Sequence, residues 1–222
     1  MDLKYGNAVV PQLHDRLRDQ IVSCALRPGQ RISETEIATT YEVSGQLVRE
    51  ACIKLAEKKL VVMRPQRGIH IRRISVSAAL TARFIREAVE VDLVRRVVER
   101  LTPVMMIVLD GQILKQQAAA HADDAATFMQ LDEAFHRSLA EFADAPAVSD
   151  YLDDLNIQMN RVRNISARHF SPNRLVVQHA SIVEGIRNRD KETTERALRT
   201  HLGAFKQDLP KIIEAYPDYF DI

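Results

Sequence analysis

Cysteine is scarce in this 222-residue sequence, and long apolar runs are absent from it. Cys24 and Cys52 have no CxxC or CxxH neighbour, which argues against a cysteine zinc site or a redox motif. We expect both to be buried structural thiols. No segment approaches the ~20 apolar residues that cross a bilayer, and the first residues lack the apolar core of a secretory signal. We therefore expect a cytoplasmic protein without a membrane partner.

Charge is divided unevenly along the chain. The net charge is +1, yet the first 75 residues hold 13 Lys and Arg against 8 Asp and Glu, and the remainder holds 18 against 22. Hydrophobic residues make up 46% of the sequence, enough to fill a core in one large domain or two modest ones. The pattern predicts a basic module with an anionic partner, joined to an acidic module with another task.

Two helical patterns open the chain. The first is predicted over residues 11–24 and ends at the turn residues Pro28 and Gly29. Its apolar positions, spaced by four, are Leu13, Leu17 and Ile21. The second begins at Ser33, which forms a capping-box pattern with Glu36, and runs to about Tyr41.

A third helix is predicted to begin at Ser44, whose hydroxyl can cap it. Its inner side is expected to carry Leu47, Val48, Ala51, Cys52 and Leu55. Two β patterns, at 60–63 and 69–72, then flank the basic segment 64–68. Three short helices followed by a hairpin with a basic tip predict a winged helix-turn-helix over residues 1–74.

The third helix and the hairpin carry the residues that we expect to contact DNA. A helix fits the major groove, so Arg49 and Gln46 near its amino terminus are the strongest candidates. The hairpin arginines could reach the DNA backbone or the minor groove, with a glycine allowing close approach. The full set is Ser44, Gly45, Gln46, Arg49, Arg64, Arg67 and Gly68. Any one of these arginines taken singly is more often a solvated surface charge, and it is the combination that points to DNA.

From about Val76 the β patterns vanish and six amphipathic helical segments follow. We therefore predict a mostly α protein in which an all-α antiparallel bundle occupies residues 75–222. Asp132 and His136 share one face of the third bundle helix, and His179 and His201 lie on the fifth and sixth. One carboxylate and three imidazoles suit a divalent metal ion: zinc first, with nickel, manganese and iron as alternatives. Spacing alone leaves open that these are ordinary core or surface histidines.

The amino-terminal segments PGQRISETEIA (28–38), VS (43–44), VREA (48–51) and RPQRG (64–68) resemble the DNA-binding domain of GntR-type bacterial regulators. The resemblance implies that Arg49 contacts DNA. In that family the Val-Ser pair is usually followed by Arg-Thr-Pro or similar, whereas this chain has Gly45-Gln46-Leu47. An arginine that commonly holds DNA is therefore missing, and the operator sequence does not carry over.

The segments LDEAFHRSLA (131–140), QHASI (178–182) and RTHL (199–202) resemble the three signature blocks of the FCD (FadR C-terminal) effector domain, and six bundle helices are typical of its VanR-like branch. The resemblance fills all four metal-ligand positions. It extends to REAVE (86–90), where the family's arginine, here Arg86, pairs with a small carboxylate that also binds the metal. The alternative for Arg86 is a salt bridge to Glu90.

Together these features predict a homodimeric regulator, a repressor rather than an activator, that binds a palindromic double-stranded DNA operator and responds to an organic acid. No catalytic residue is expected. The opposing hypothesis is a metalloenzyme with Glu133 as general acid or base, although that side chain should point about 100° away from Asp132. A third possibility is a metal that only stabilises the bundle. The tail 216–220 suggests no function.

Overall fold

The computed structural model describes residues 9–64 and 68–221 and confirms a mostly helical protein. Its helices are α1 Val9–Val22, α2 Glu34–Tyr41, α3 Gly45–Glu57, α4 Val76–Arg100, α5 Pro103–His121, α6 Ala125–Phe142, α7 Ala147–Leu155, α8 Ile157–His169, α9 Asn173–Arg187 and α10 Lys191–Ala215. Its strands are β1 Arg31–Ile32, β2 Val61–Arg64, β3 Gly68–Ile71, β4 Ile74–Ser75 and β5 Phe220–Asp221. In the described part of the chain, no helix is both long and apolar enough to cross a bilayer.

The chain divides into two compact units. One holds the residues up to Val76 together with the tail from Tyr216, and the other is Ser77–Ala215. The tail was predicted to belong to the helical domain, but it groups with the amino-terminal unit. Strand β5 pairs in parallel with β4, placing Phe220 opposite Ile74, and both side chains are buried.

Helix α1 lies two residues earlier than predicted. Its apolar stripe, Leu13, Leu17 and Ile21, is fully buried as expected. The helix ends at Val22 because the chain turns at Cys24, which has a positive φ of 57°. Cys24 and Cys52 are both buried, as predicted.

Helices α2 and α3 form the helix-turn-helix. The capping box predicted at Ser33 does not form, since the Ser33 side chain makes no capping hydrogen bond. The backbone carbonyl of Ser33 accepts the amide of Ile37 at 3.1 Å, which is the ordinary first bond of the helix. Helix α2 ends at Tyr41, and the left-handed backbone of the next residue, Glu42, makes the turn. The predicted cap of α3 is confirmed, since the Ser44 hydroxyl accepts the amide of Leu47 at 3.4 Å.

The wing is a three-stranded antiparallel sheet in the order β1-β3-β2. The β2–β3 hairpin was predicted, but β1 was missed because two residues are too few to show alternation. Gly68 has a φ of +81°, and a Cβ there would lie 3.2 Å from Arg31 Nε and 3.3 Å from the carbonyl oxygen of Ile32. Glycine is therefore required at this position for β1 to pack against β3.

The helical unit contains seven helices, α4–α10, in its described residues, so the predicted count of six is wrong. The extra break lies at Asn156, between α7 and α8, where neither proline nor glycine marks it. Elsewhere the helix ends are marked by local residues: Thr102 caps α5 and Pro103 occupies its first turn. The core includes Val94, Leu109, Phe128, Phe135, Leu139, Ile182 and Leu198.

Candidate metal centre and DNA-binding surface

Three helices of the bundle bring the predicted metal ligands together. Asp132 and His136 lie one turn apart on the buried side of α6, while His179 comes from α9 and His201 from α10. All four residues are buried, and one ligand atom from each lies within 4.8 Å of the others. Residues separated by up to 69 positions in the sequence thus converge on one point.

The separations between these atoms suit ligands of a single ion. The Nε2 atom of His201 lies 3.2 Å from the Nε2 atoms of both His136 and His179. Nitrogens about 2.0–2.1 Å from a common ion are about 3.3–3.4 Å apart in tetrahedral geometry and about 2.8–3.0 Å apart at adjacent octahedral positions. The Asp132 carboxylate completes the set, with Oδ1 at 3.7 Å from His179 Nε2 and Oδ2 at 3.9 Å from His136 Nε2.

Each histidine faces an oxygen of another side chain with its second nitrogen. The Nδ1 atom of His136 lies 2.8 Å from Glu90 Oε2. His179 Nδ1 lies 2.7 Å from Gln116 Oε1, and His201 Nδ1 lies 3.3 Å from Gln178 Oε1. Such partners make Nδ1 the protonated nitrogen and leave the Nε2 lone pair facing the centre, as in metal-ligating histidines.

The protonation states favour metal binding. Burial lowers the pKa of His179 to about 3, lowers that of His136, and lowers that of His201 well below its usual value, so the rings are neutral. Burial alone would raise the pKa of Asp132, but Arg163 and the surrounding histidines hold it well below its usual range. In the same way Arg86 and His136 outweigh burial and lower the pKa of Glu90 to about 2.

One oxygen of this centre has no hydrogen-bond partner among the described residues. Oδ1 of Asp132 is fully buried and accepts no hydrogen bond. A buried carboxylate oxygen without a partner costs free energy, and coordination of a cation would offset that cost. The residues present therefore fit a divalent metal ion, in donor type, protonation state and spacing.

A cavity of about 40 Å³ opens beside the centre. Its polar and charged lining is Arg83, Arg86, Asp132, Arg163, Ser166, His201 and Asp208. Arg86, the predicted effector residue, is buried here and donates from Nε to Glu90 Oε1 at 2.6 Å. The structure thus forms the salt bridge that was the alternative, and the same carboxylate faces His136 through its other oxygen.

The expected DNA-contacting residues near the start of α3 are accessible. The Arg49 side chain is 63% exposed and contacts both carboxylate oxygens of Glu34 at 3.2 Å. Gln46 is exposed and donates to Glu50 at 3.2 Å. Gly45 leaves room for Glu34, since a Cβ there would lie 2.9 Å from its Oε1. Sequence reasoning missed Glu34, which lies on α2, eleven residues earlier.

The remaining candidates lie around that helix and on the hairpin. Ser44 is exposed while capping α3, and Arg64 is exposed at the end of β2. Gly68 follows at the start of β3, where its backbone conformation already accounts for the glycine. Arg67 lies outside the described residues.

Two family models match the chain. One, for bacterial regulatory proteins of the gntR family, matches residues 10–71, and the other, for the FCD domain, matches residues 82–204. The chain belongs to the GntR family, in its FCD branch. This GntR regulator is 34% identical over 210 residues to the HTH-type transcriptional repressor RspR of Escherichia coli K12, covering 94% of this chain and 92% of that protein.

Solved structures support the fold of this GntR regulator. E. coli McbR/YncC has a TM-score of 0.77 at 20% identity, covering 93% of this chain and 98% of that one. A putative GntR regulator from Rhodococcus sp. RHA1 has a TM-score of 0.75 at 21% identity, covering 95% and 100%. The two family models and the similarity to RspR identify the protein as a DNA-binding transcription regulator, which is not the enzyme class of the opposing hypothesis. Glu133, the residue required by the enzyme hypothesis, accepts a hydrogen bond from Asn160 at 3.4 Å.

Proposed function

We propose that this GntR regulator is a cytoplasmic repressor whose hold on DNA is controlled by a small organic acid at a metal centre. The observation that carries the proposal is the convergence of four buried ligand atoms within 4.8 Å, beside a cavity lined by arginines. Asp132, His136, His179 and His201 would hold the ion, zinc being the first choice for three imidazoles and a carboxylate. A bound divalent ion supplies positive charge and open positions for a carboxylate oxygen.

A homodimer on a palindromic operator is the assembly that we propose. The support is an apolar surface on α5, here called the α5 stripe: Val104, Ile107, Gly111 and Leu114. The three larger side chains are 68%, 72% and 66% exposed. Their spacing of three and four residues is that of helices that pack along one seam, and a second copy would cover this surface.

Chain connectivity supports a link between the effector and DNA. Strand β4 leads directly into α4, which carries Arg86 and Glu90, and α10, which carries His201, leads through Tyr216 to β5. Both strands of this small sheet belong to the DNA-binding unit. An acid that favours one arrangement of α4 and α10 over another by roughly 1–3 kcal/mol would be sufficient for a useful switch.

Metal content and acid binding test the proposal. Elemental analysis of the purified protein should find about one ion per chain, and the double variant His179→Ala/His201→Ala should lose it. The matched control is His121→Ala, which removes an exposed histidine at the end of α5. Thermal shifts of zinc-loaded protein with mono- and dicarboxylates and sugar acids should then reveal binders, because a ligand stabilises the state that it binds. If the metal raises the melting temperature but no acid changes either the melting temperature or DNA release, the ion has a structural role only.

The DNA-binding surface has its own test. Arg49→Ala should weaken operator binding and reduce the dependence of affinity on salt, since one phosphate or base contact is lost. Lys54→Ala is the control, because it removes the same charge from an exposed position further along α3. Equal losses in the two variants would show a general charge effect and contradict the assignment of Arg49.

A further inference from the structure

The most informative contact of the centre is made by a residue that is not one of its ligands. Arg163 lies on α8 and donates from Nη2 to Asp132 Oδ2, while its Nη1 donates to Asn160 Oδ1 at 2.9 Å. Its side chain is 14% exposed and lines the cavity. A guanidinium therefore faces the carboxylate that a divalent ion would need.

We infer that Arg163 is an internal counter-ion of Asp132, that it competes with a divalent cation for this carboxylate, and that it binds the acid once the cation holds Asp132. The inference rests on the proposed function and names the arginine that anchors the effector. It differs from the sequence expectation, which gave that role to Arg86.

The pairing of the other arginines favours Arg163. Arg86 forms a buried ion pair with Glu90. Separating the two would leave a buried carboxylate without a counter-ion, which would strongly destabilise the fold. Arg83 is held by Glu87 and by the carbonyl oxygen of Leu202 at 3.1 Å. Of the three arginines that line the cavity, Arg163 is the one whose carboxylate partner also belongs to the predicted ligand set.

Charge balance leads to the same conclusion. The carboxylates of Asp132 and Glu90 are paired with the guanidinium groups of Arg163 and Arg86, so the four charges balance. A divalent cation on Asp132 leaves two positive charges in excess in a buried site. An incoming carboxylate reduces that excess, and a planar guanidinium can hold it through two parallel hydrogen bonds.

A metal titration without any acid tests the competition. The full-length protein is stripped with a chelator and titrated with zinc against a chromophoric competitor. Arg163→Gln should bind zinc about tenfold more tightly than the unaltered protein, because the cation that lowers the proton and metal affinity of Asp132 is gone. Arg174→Gln is the matched control: it removes an arginine paired with Asp208, another carboxylate of the cavity lining, and should leave zinc affinity unchanged.

Acid binding tests whether Arg163 holds the acid. Acetate and malonate are titrated by calorimetry into the zinc-loaded proteins, and Arg163→Gln should lose at least about tenfold in affinity for any acid that the unaltered protein binds. Arg163→Lys keeps the charge without the planar fork, so it should retain ordinary zinc affinity but bind the acid more weakly.

The outcomes separate this inference from the proposed function. Unchanged or weaker zinc binding by a folded Arg163→Gln protein overturns the competition, and unchanged acid binding overturns the anchoring role. If the unaltered protein binds zinc but neither acid, the proposed control by these acids is wrong, and so is the role of Arg163 in binding them. Tighter zinc binding by Arg163→Gln would still support competition between Arg163 and the metal for Asp132. If Arg163→Gln unfolds at a much lower temperature than the unaltered protein, the folded Arg163→Lys variant is used instead. Tight acid binding by Arg163→Lys would contradict the need for a guanidinium group.

Discussion

The three histidines of the candidate metal centre have partners from outside the proposed ligand set. Glu90, Gln116 and Gln178 face their Nδ1 atoms, and these partners come from α4, α5 and α9. Because each partner selects which ring nitrogen carries the proton, it also orients the Nε2 lone pair toward the common point. Ligand identity and ligand orientation are therefore encoded by different residues.

Replacing one partner should weaken the metal without removing a ligand. We expect Gln116→Leu to lower zinc affinity by about 10–100-fold, because His179 loses the acceptor that fixes its tautomer. The measurement is competition with a chromophoric chelator. Gln112→Leu, one turn earlier on α5 and bonded to Ser138, is the control and should have little effect. Equal zinc affinity in Gln116→Leu would show that the glutamine does not orient the ring. The change is opposite in direction to that expected for Arg163→Gln.

A second prediction at this scale concerns Cys52. Burial, assisted by the charge of Glu34, raises the pKa of its thiol to about 11. A raised native pKa stabilises the fold fully below the unfolded value near 9, and the stabilisation is lost as pH rises through about 11. The free energy of unfolding should therefore fall between pH 9 and 11, and Cys52→Ala should show a smaller fall. Denaturant titrations at several pH values measure this, and parallel curves for the two proteins would contradict it.

The four candidate ligands could be named from the sequence, but the residues that face the second nitrogens of the histidines could not. Asp132 and His136 share a helical face, and the resemblance supplied the two distant histidines. Gln178 shows why the partners were missed: it precedes His179 in sequence, yet it faces His201 on the neighbouring helix. Gln116 lies on a helix without a predicted ligand. Such contacts depend on helix rotation and packing, which a one-dimensional spacing does not specify.

At the scale of elements, helices were predictable where local chemistry marks their ends. Thr102 and Pro103 mark the start of α5, and Ser44 marks the start of α3. The break at Asn156 has no such mark, so the sequence pattern predicts a single helix where the structure has α7 and α8. Strands β1, β4 and β5 have two residues each, and their pairing depends on distant partners and not on a local pattern.

The tail is an element whose contribution can be measured. Phe220 is buried and lies opposite Ile74 in the β4–β5 pair. We expect Phe220→Ala to lower the free energy of unfolding of the DNA-binding unit by roughly 3–5 kcal/mol, because a large buried side chain is lost. Denaturant unfolding followed by circular dichroism gives the value. Asp221→Ala, an exposed neighbour on the same strand, should change it little, and a stable Phe220→Ala protein would show that the tail adds nothing to this unit.

At the scale of the whole molecule, the α5 stripe is unusual for a surface. Between Pro103 and His121 the helix has just two residues of the Asp, Glu, Lys and Arg types, Asp110 and Lys115, in a chain that is 27% charged. A Cβ built at Gly111 would meet no atom within 4 Å among the described residues, so another helix could approach its backbone closely. Charge depletion around exposed aliphatic side chains is typical of an interface core.

A charge placed in the stripe should therefore separate the proposed dimer. Ile107→Glu puts a carboxylate at a 72% exposed position, where it would be harmless in a monomer but would be buried without a partner in a dimer. Light scattering should find about twice the mass of one chain for the unaltered protein and a single chain for the variant. Operator affinity should fall by about a hundredfold, because two half-sites then bind independently.

Tyr151→Glu is the matched control for Ile107→Glu. Tyr151 is 80% exposed on α7, so the substitution adds the same charge to an exposed apolar position outside the stripe. A dimeric Tyr151→Glu protein beside a monomeric Ile107→Glu protein locates the contact on α5. If both variants remain dimeric, the second copy binds elsewhere, and if both dissociate, net charge and not the stripe controls assembly. Since monomeric Ile107→Glu keeps every metal ligand, it should still bind zinc normally, which separates the assembly of this regulator from the chemistry of its centre.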